Sequence, residues 1–145
     1  MKIMKIKISM NLIAAMLLLF VGCDQKLDIQ EVSDFSVSAM PVPKMIRVHE
    51  TVEIRFQLDR TDLRKDAKYR FNYFQPEGKG ILQNAKGVMM IPNNSYALES
   101  DTFRLYYSSM CLDQQVIDIT VHDNYNQVHK LSFNFANDSG RSFPF

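Results

Sequence analysis

Two cysteines, three histidines and a scatter of serines and carboxylates are the residues here that could do covalent, acid–base or metal chemistry. Cys23 has the most informative context. Lys2, Lys5 and Lys7 precede the apolar run LIAAMLLLFV (12–21), which ends in Gly22-Cys23. A basic start followed by roughly 7 to 15 apolar residues is the pattern of an export signal, and the run falls short of the roughly 20 residues that span a bilayer. A small residue directly before a cysteine lets a signal peptidase cut there, and the freed thiol is the nucleophile that takes up diacylglycerol. Phe20 stands where such sites usually carry Leu and keeps the position apolar. The expectation is a signal peptide over 1–22, lipid attachment at Cys23 and a flexible tether over 23–33.

The other reactive residues form no catalytic arrangement. Cys111 is left without a disulfide partner once Cys23 is acylated, and reads as a small buried hydrophobe rather than a nucleophile. His49, His122 and His129 lie in no ligand-spaced motif. His122 and His129 flank a turn and are expected to approach each other as an exposed cross-strand pair, too few ligands for a metal. Asp118 and Asp123 read as a solvated face residue and a turn residue rather than a carboxylate pair. No serine has a His–Asp arrangement around it, and no Walker, dinucleotide or nucleophile-elbow motif is present. EGKG (77–80) has the composition of a hairpin turn, and a phosphate cradle there would need a following helix. No catalytic, cofactor-binding or metal-binding residue is assigned, and the chain reads as non-catalytic.

What must position these residues is a β-rich domain. FSVSA (35–39), RVHETVEIRFQLDR (47–60), YRFNYF (69–74), TFRLYYSS (102–109), VIDITVHD (116–123) and QVHKLSFNFA (127–136) each alternate apolar and polar side chains, the period of a half-buried strand. MPVPK (40–44) predicts a break, with prolines that suit an edge strand or one that changes sheets. PEGKG (76–80) turns the chain, and ILQNAKGVMMIPNN (81–94) has no clear strand boundaries. DNYN (123–126) closes a C-terminal hairpin, its Asn124 and Asn126 tolerating positive φ. About seven strands without an amphipathic helix predict an all-β fold, first an immunoglobulin-like antiparallel β-sandwich over 34–136 behind an N-terminal signal helix, with a closed β-barrel of similar size as the runner-up and a loose tail over 137–145. Disulfides cannot staple it, so its core must be sufficient.

Without the three signal lysines the mature chain has 14 basic and 16 acidic residues, intermixed as in RTDLRKDAK (60–68), so it offers no phosphate-tracking stripe and no direct nucleic-acid partner is expected. Ten Phe, six Tyr and no Trp suit aromatic strands better than a tryptophan-lined sugar platform. A carbohydrate-binding surface lipoprotein stays open as an alternative, with Tyr69, Tyr73, Tyr106 and Tyr107 as its stacking face if they are exposed.

Four segments together carry a resemblance: FSVSAMPVPKMIRVHETVEIRFQL (35–58), YRFNYFQPEGKGIL (69–82), FRLYYSS (103–109) and DQQVIDITVHDNYNQVHKLSFNF (113–135). They resemble the TraQ family of conjugative-transposon transfer lipoproteins found on Bacteroides-type mobile elements. The resemblance implies an immunoglobulin-like domain in the cell envelope, lipid-anchored on the periplasmic side or the outer membrane. Its partners would be protein components of a conjugation machine, which it would serve by binding or scaffolding. No catalytic residues and no cofactor come with it.

Overall fold

A computed structural model of the chain describes residues 35–61 and 65–139. The expected signal peptide over 1–22, Cys23, the expected tether over 23–33 and the final residues from 140 lie outside the described residues. Nine strands follow in order: β1 (Phe35–Ala39), β2 (Met45–Ile46), β3 (Thr51–Arg60), β4 (Tyr69–Glu77), β5 (Gly80–Asn84), β6 (Tyr96–Ala97), β7 (Thr102–Ser109), β8 (Gln115–Asp123) and β9 (Val128–Asn137). Seven of these have five or more residues; β2 and β6 have two.

Alternation in the sequence becomes alternation in burial. Along β3, Val52, Ile54, Phe56 and Leu58 are buried, while Thr51, Arg55 and Gln57 face solvent. Tyr69, Phe71 and Tyr73 of β4, Leu105 and Tyr107 of β7, Ile117, Ile119 and Val121 of β8, and Phe133 and Phe135 of β9 join them in one core. The core is dense with rings. Phe56 stacks on Phe103 with centroids 4.5 Å apart and meets the face of Phe133 edge-on at 5.7 Å, and Tyr107 stacks on Phe135 at 5.4 Å, offset and edge-to-face arrangements that satisfy the ring quadrupoles.

One sheet has the order β1-β3-β7-β5 and the other β2-β9-β8-β4-β6. Relabelled A to G, the long strands give A-B-E-D facing G-F-C, the immunoglobulin arrangement. The MPVPK break carries the chain from β1, antiparallel to β3 in the first sheet, to β2, parallel to β9 in the second. Two prolines suit this crossing, since neither can donate to a ladder. The opposite side of the sandwich is closed by 85–95. There Asn84 Oδ1 accepts the N–H groups of Lys86 and Val88, both at 2.9 Å, and folds the chain back so that Met90 N–H donates to Leu82 O. Tyr73 donates to Met90 O, and Asn93 N–H donates to Tyr73 O, pinning this return to the second sheet.

Candidate functional site

Three loops meet at the end of the sandwich away from the start of β1: the β4–β5 turn, the 110–114 connection between β7 and β8, and the turn Arg47–Glu50. Met110 N–H donates to Lys79 O at 2.9 Å, His49 N–H donates to Ser109 O at 2.8 Å, and Ser109 N–H donates to Glu50 O at 3.0 Å. Beneath them the Tyr107 hydroxyl, fully buried, lies 2.7 Å from Gln115 Oε1 and 2.8 Å from the Gln75 amide. Gln115 Nε2 donates to Ser109 Oγ at 2.8 Å, and Ser109 Oγ donates to Cys111 O at 3.2 Å. The Gln75 amide oxygen, turned toward the loop, accepts the N–H groups of Lys79 and Gly80 at 3.2 and 3.1 Å. Each polar side chain of this network has at least one hydrogen-bond partner, the condition for burying such groups.

The glycines of EGKG belong to this network. Gly78 has φ +75°, and a Cβ there would come 2.5 Å from Gln115 Cγ; a Cβ on Gly80 would come 2.3 Å from the Tyr107 ring. The segment leads into β5, and its composition is explained by close packing against Tyr107 and Gln115. Burial pushes the Tyr107 phenol up to about 12, with Cys111 adding to the effect, so the hydroxyl is neutral at physiological pH and serves as a bridge. Ser109 has an amide and a carbonyl as partners, and the half-buried Cys111 thiol accepts Lys79 N–H at 3.1 Å. Cys111 is therefore less buried than its reading as a core hydrophobe required, because it closes a loop. The arrangement ties the three loops to one another through hydrogen bonds. Above it Met110 and Leu112 point outward, 44% and 70% exposed.

His122 and His129 do not pair. The hairpin register sets His122 against Val128 and Val121 against His129, so the two imidazoles project to opposite faces of the sheet. The loop explains the offset: Asp123 N–H donates to Gln127 O across three residues, of which only Asn126 has positive φ, at 67°. Asn124 is held differently, its Oδ1 accepting Lys68 N–H at 2.7 Å. His49 occupies a turn at φ 68°. Among the described residues no group of three His, Cys, Asp or Glu side chains is placed to hold a metal ion.

Asp118 is buried on the outer face of β8 rather than solvated. Lys130 Nζ lies 2.8 Å from its Oδ2, and hydrogen bonding to Lys130 holds the carboxyl below its ordinary value against the opposing effect of burial. Asp123 is the turn residue expected, its Oδ1 accepting the N–H groups of Tyr125 and Gln127 at 2.8 Å, while Oδ2 is buried without a hydrogen-bond partner among the described residues. Of the four tyrosines considered for sugar stacking, Tyr69, Tyr73 and Tyr107 are in the core, so no platform forms. Sequence reading missed Gln75 and Gln115. Gln115 was detectable, since it falls on the same alternation as Ile117, Ile119 and Val121, and a polar residue in an inward position needs buried partners.

The family described as TraQ conjugal transfer protein matches residues 6–138. The chain belongs to this family. Three solved structures resemble the TraQ-family domain. A conjugative transposon lipoprotein from Bacteroides eggerthii is 36% identical, with a TM-score of 0.68 over 71% of this chain and 97% of that one. A lipoprotein from Bacteroides thetaiotaomicron is 44% identical, with a TM-score of 0.68 over 81% and 90%. A conjugate transposon protein from Bacteroides vulgatus is 35% identical, with a TM-score of 0.65 over 83% and 97%. No curated protein matches the chain. TraQ membership assigns the chain to conjugal transfer, and the likeness to named lipoproteins agrees with a lipid-anchored place in the envelope.

Proposed function

We propose that this TraQ-family protein is a non-catalytic scaffolding component of a conjugative DNA-transfer apparatus, lipid-anchored through Cys23 and docking another envelope protein of that apparatus. The observation that carries this reading is the loop end of the sandwich. Its three loops are fixed by buried hydrogen bonds and present Met110 and Leu112 outward. Fixed loops with exposed large apolar side chains suit protein contact, since anchors that are already ordered lose little entropy on binding. The carbohydrate-binding alternative is weakened by the burial of three of its four candidate tyrosines.

Deleting the gene in a donor strain is expected to reduce conjugation frequency, with the wild-type chain restoring it. The double variant Met110→Asp with Leu112→Asp, folded and membrane-bound, is expected to fail in complementation and to lose crosslinks to its partner. Single changes of His49, Cys111, His122 or His129 are expected to complement. Loss of transfer in one of these single variants with crosslinks intact would favour an enzyme. Normal transfer by the deletion strain would remove the conjugation role.

A further inference from the structure

The outer face of the first sheet carries an arrangement that folding does not require. In the β3–β7 register Arg55 stands directly opposite Arg104. Leu58 N–H donates to Asp101 O across this pair of strands, and Met40 N–H donates to Arg55 O on the other side. Arg55 therefore turns its main-chain groups toward β1, which makes Arg55–Arg104 the closer, non-hydrogen-bonded kind of cross-strand pair. Like charges in that position repel each other and weaken a sheet.

One carboxylate offsets the repulsion. Glu53 Oε2 accepts Arg55 Nε and Nη2 at 2.9 and 2.8 Å, and its Oε1 accepts Arg104 Nη1 at 3.0 Å and the Tyr106 hydroxyl at 3.3 Å. Hydrogen bonding to Arg55 holds the Glu53 carboxyl below its ordinary value. Each guanidinium has five N–H donors, and most of those on this pair have no partner among the described residues. Both arginines are about half exposed, and they line a groove of about 430 Å³. The next row of the same face supplies Ser38, Gln57 and Thr102, aligned across β1, β3 and β7 and also lining the groove. Two forks with unfilled donors thus stand beside a row of neutral hydrogen-bonding groups.

We infer that the groove at Arg55 and Arg104 is a binding site for a carboxylate of an acidic peptide segment. Planar guanidinium forks match carboxylates two hydrogen bonds at a time. Nucleic acid is disfavoured because the mature chain has more acidic than basic residues and the arginines form a single focus, flanked by Glu53, where a phosphate backbone needs a track of cations. The choice of a peptide as ligand rests on the scaffolding reading above, whereas the oxyanion site does not.

The test is an NMR titration of the full lipidated chain in detergent micelles, with tetraglutamate as probe, tetraglutamine as neutral control, and inorganic phosphate and a short oligothymidylate in parallel. Tetraglutamate is expected to shift the Arg55 and Arg104 Nε–H resonances and the amides of Ser38, Gln57 and Thr102, saturably, with no response to tetraglutamine. Arg55→Gln or Arg104→Gln should weaken binding roughly tenfold, the scale of one lost charge-assisted contact. Arg55→Lys and Arg104→Lys should recover only part of the affinity, because a point charge replaces a fork. Shifts that are absent, or unchanged in both Gln variants, overturn the site, and full recovery by Lys overturns the bidentate geometry. Tighter binding of phosphate or oligothymidylate at the same residues overturns the peptide assignment. A failed titration alongside lost conjugation in the deletion strain removes this site and leaves the scaffolding role, and the opposite pair of results does the reverse.

Discussion

Gly80→Ala is the substitution that most directly tests the packing under the loops. The added Cβ would lie 2.3 Å from Tyr107 Cζ and from its hydroxyl oxygen and 2.4 Å from Cε2, where an ordinary contact needs more than 3.4 Å. The ring has little room to yield. It is fully buried, stacked on Phe135, and held through its hydroxyl by Gln75 and Gln115. Overpacking of this kind costs about 1 to 3 kcal/mol. Moving the ring far enough also breaks a bond to a buried amide, which adds about 1 to 3 kcal/mol. A total of about 2 to 6 kcal/mol corresponds to a melting temperature roughly 8 to 24 °C lower in a domain of this size. Gly87→Ala is the control: it meets nothing within 4 Å, and its φ of +75° makes the expected cost about 1 kcal/mol of backbone strain. Urea denaturation followed by far-UV circular dichroism and tyrosine fluorescence suits a chain without tryptophan. Combining Gly80→Ala with Tyr107→Phe should cost less than the sum of the single changes, because the phenylalanine gives up the hydroxyl the methyl strikes. A Gly80→Ala midpoint equal to or above that of Gly87→Ala would refute the reasoning.

Phe56→Ala, which removes a buried ring stacked on Phe103, is expected to destabilise the domain by about 3 to 5 kcal/mol, whereas Arg55→Ala on the exposed face leaves the denaturation midpoint nearly unchanged; comparable midpoints would mean the strand faces are assigned wrongly. Asp118 titrates below its ordinary value of 3.8 in the folded chain, so its pairing with Lys130 stabilises the fold above that pH and the contribution disappears as pH falls through the lowered value. Asp118→Asn should therefore flatten the acid side of a stability-against-pH curve while leaving the slope above pH 6 unchanged. Cys23→Ser is expected to leave the domain folded and release it from the membrane, since the lipid would be the anchor remaining after signal removal; fractionation that finds the serine variant still in the membrane after signal cleavage would exclude lipid attachment at Cys23.

The strands legible in the sequence were those with one face in the core and one in solvent. In 51–58 and 69–74 each side chain's parity assigns its side and the burial pattern follows it, whereas Arg60 and, after a register irregularity beyond Phe74, Glu77 are exposed despite inward parity. The segment 81–94 was harder because its fold-back is organised by one side chain, Asn84, whose turn resembles any polar loop in composition. Strands β2 and β6 have no period to read at two residues each, and each exists only because a neighbouring edge, β9 or β4, offers it partners. The opposed faces of His122 and His129 depended on whether the turn held two residues or three, a choice fixed by the φ of Asn126. The Arg55–Arg104 pair could not be seen in the sequence at all: 49 positions separate the two residues, and only the register of β3 against β7 brings them opposite each other.

The split first strand also has a mechanical consequence. β1 begins at the end of the sandwich where β3 finishes, with Phe35 opposite Arg60, and runs antiparallel to β3 into the body of the domain. Tension applied at Phe35, with the domain gripped at its loop end, acts along the strand axis and thus across the β1–β3 hydrogen bonds, which lie perpendicular to it. Those bonds share the load in shear and must fail together, where a strand pulled sideways would peel off one bond at a time. If β1 did give way, β2 would remain zipped to β9 in the other sheet beyond the MPVPK segment, a second catch that the same pull must break before the core opens.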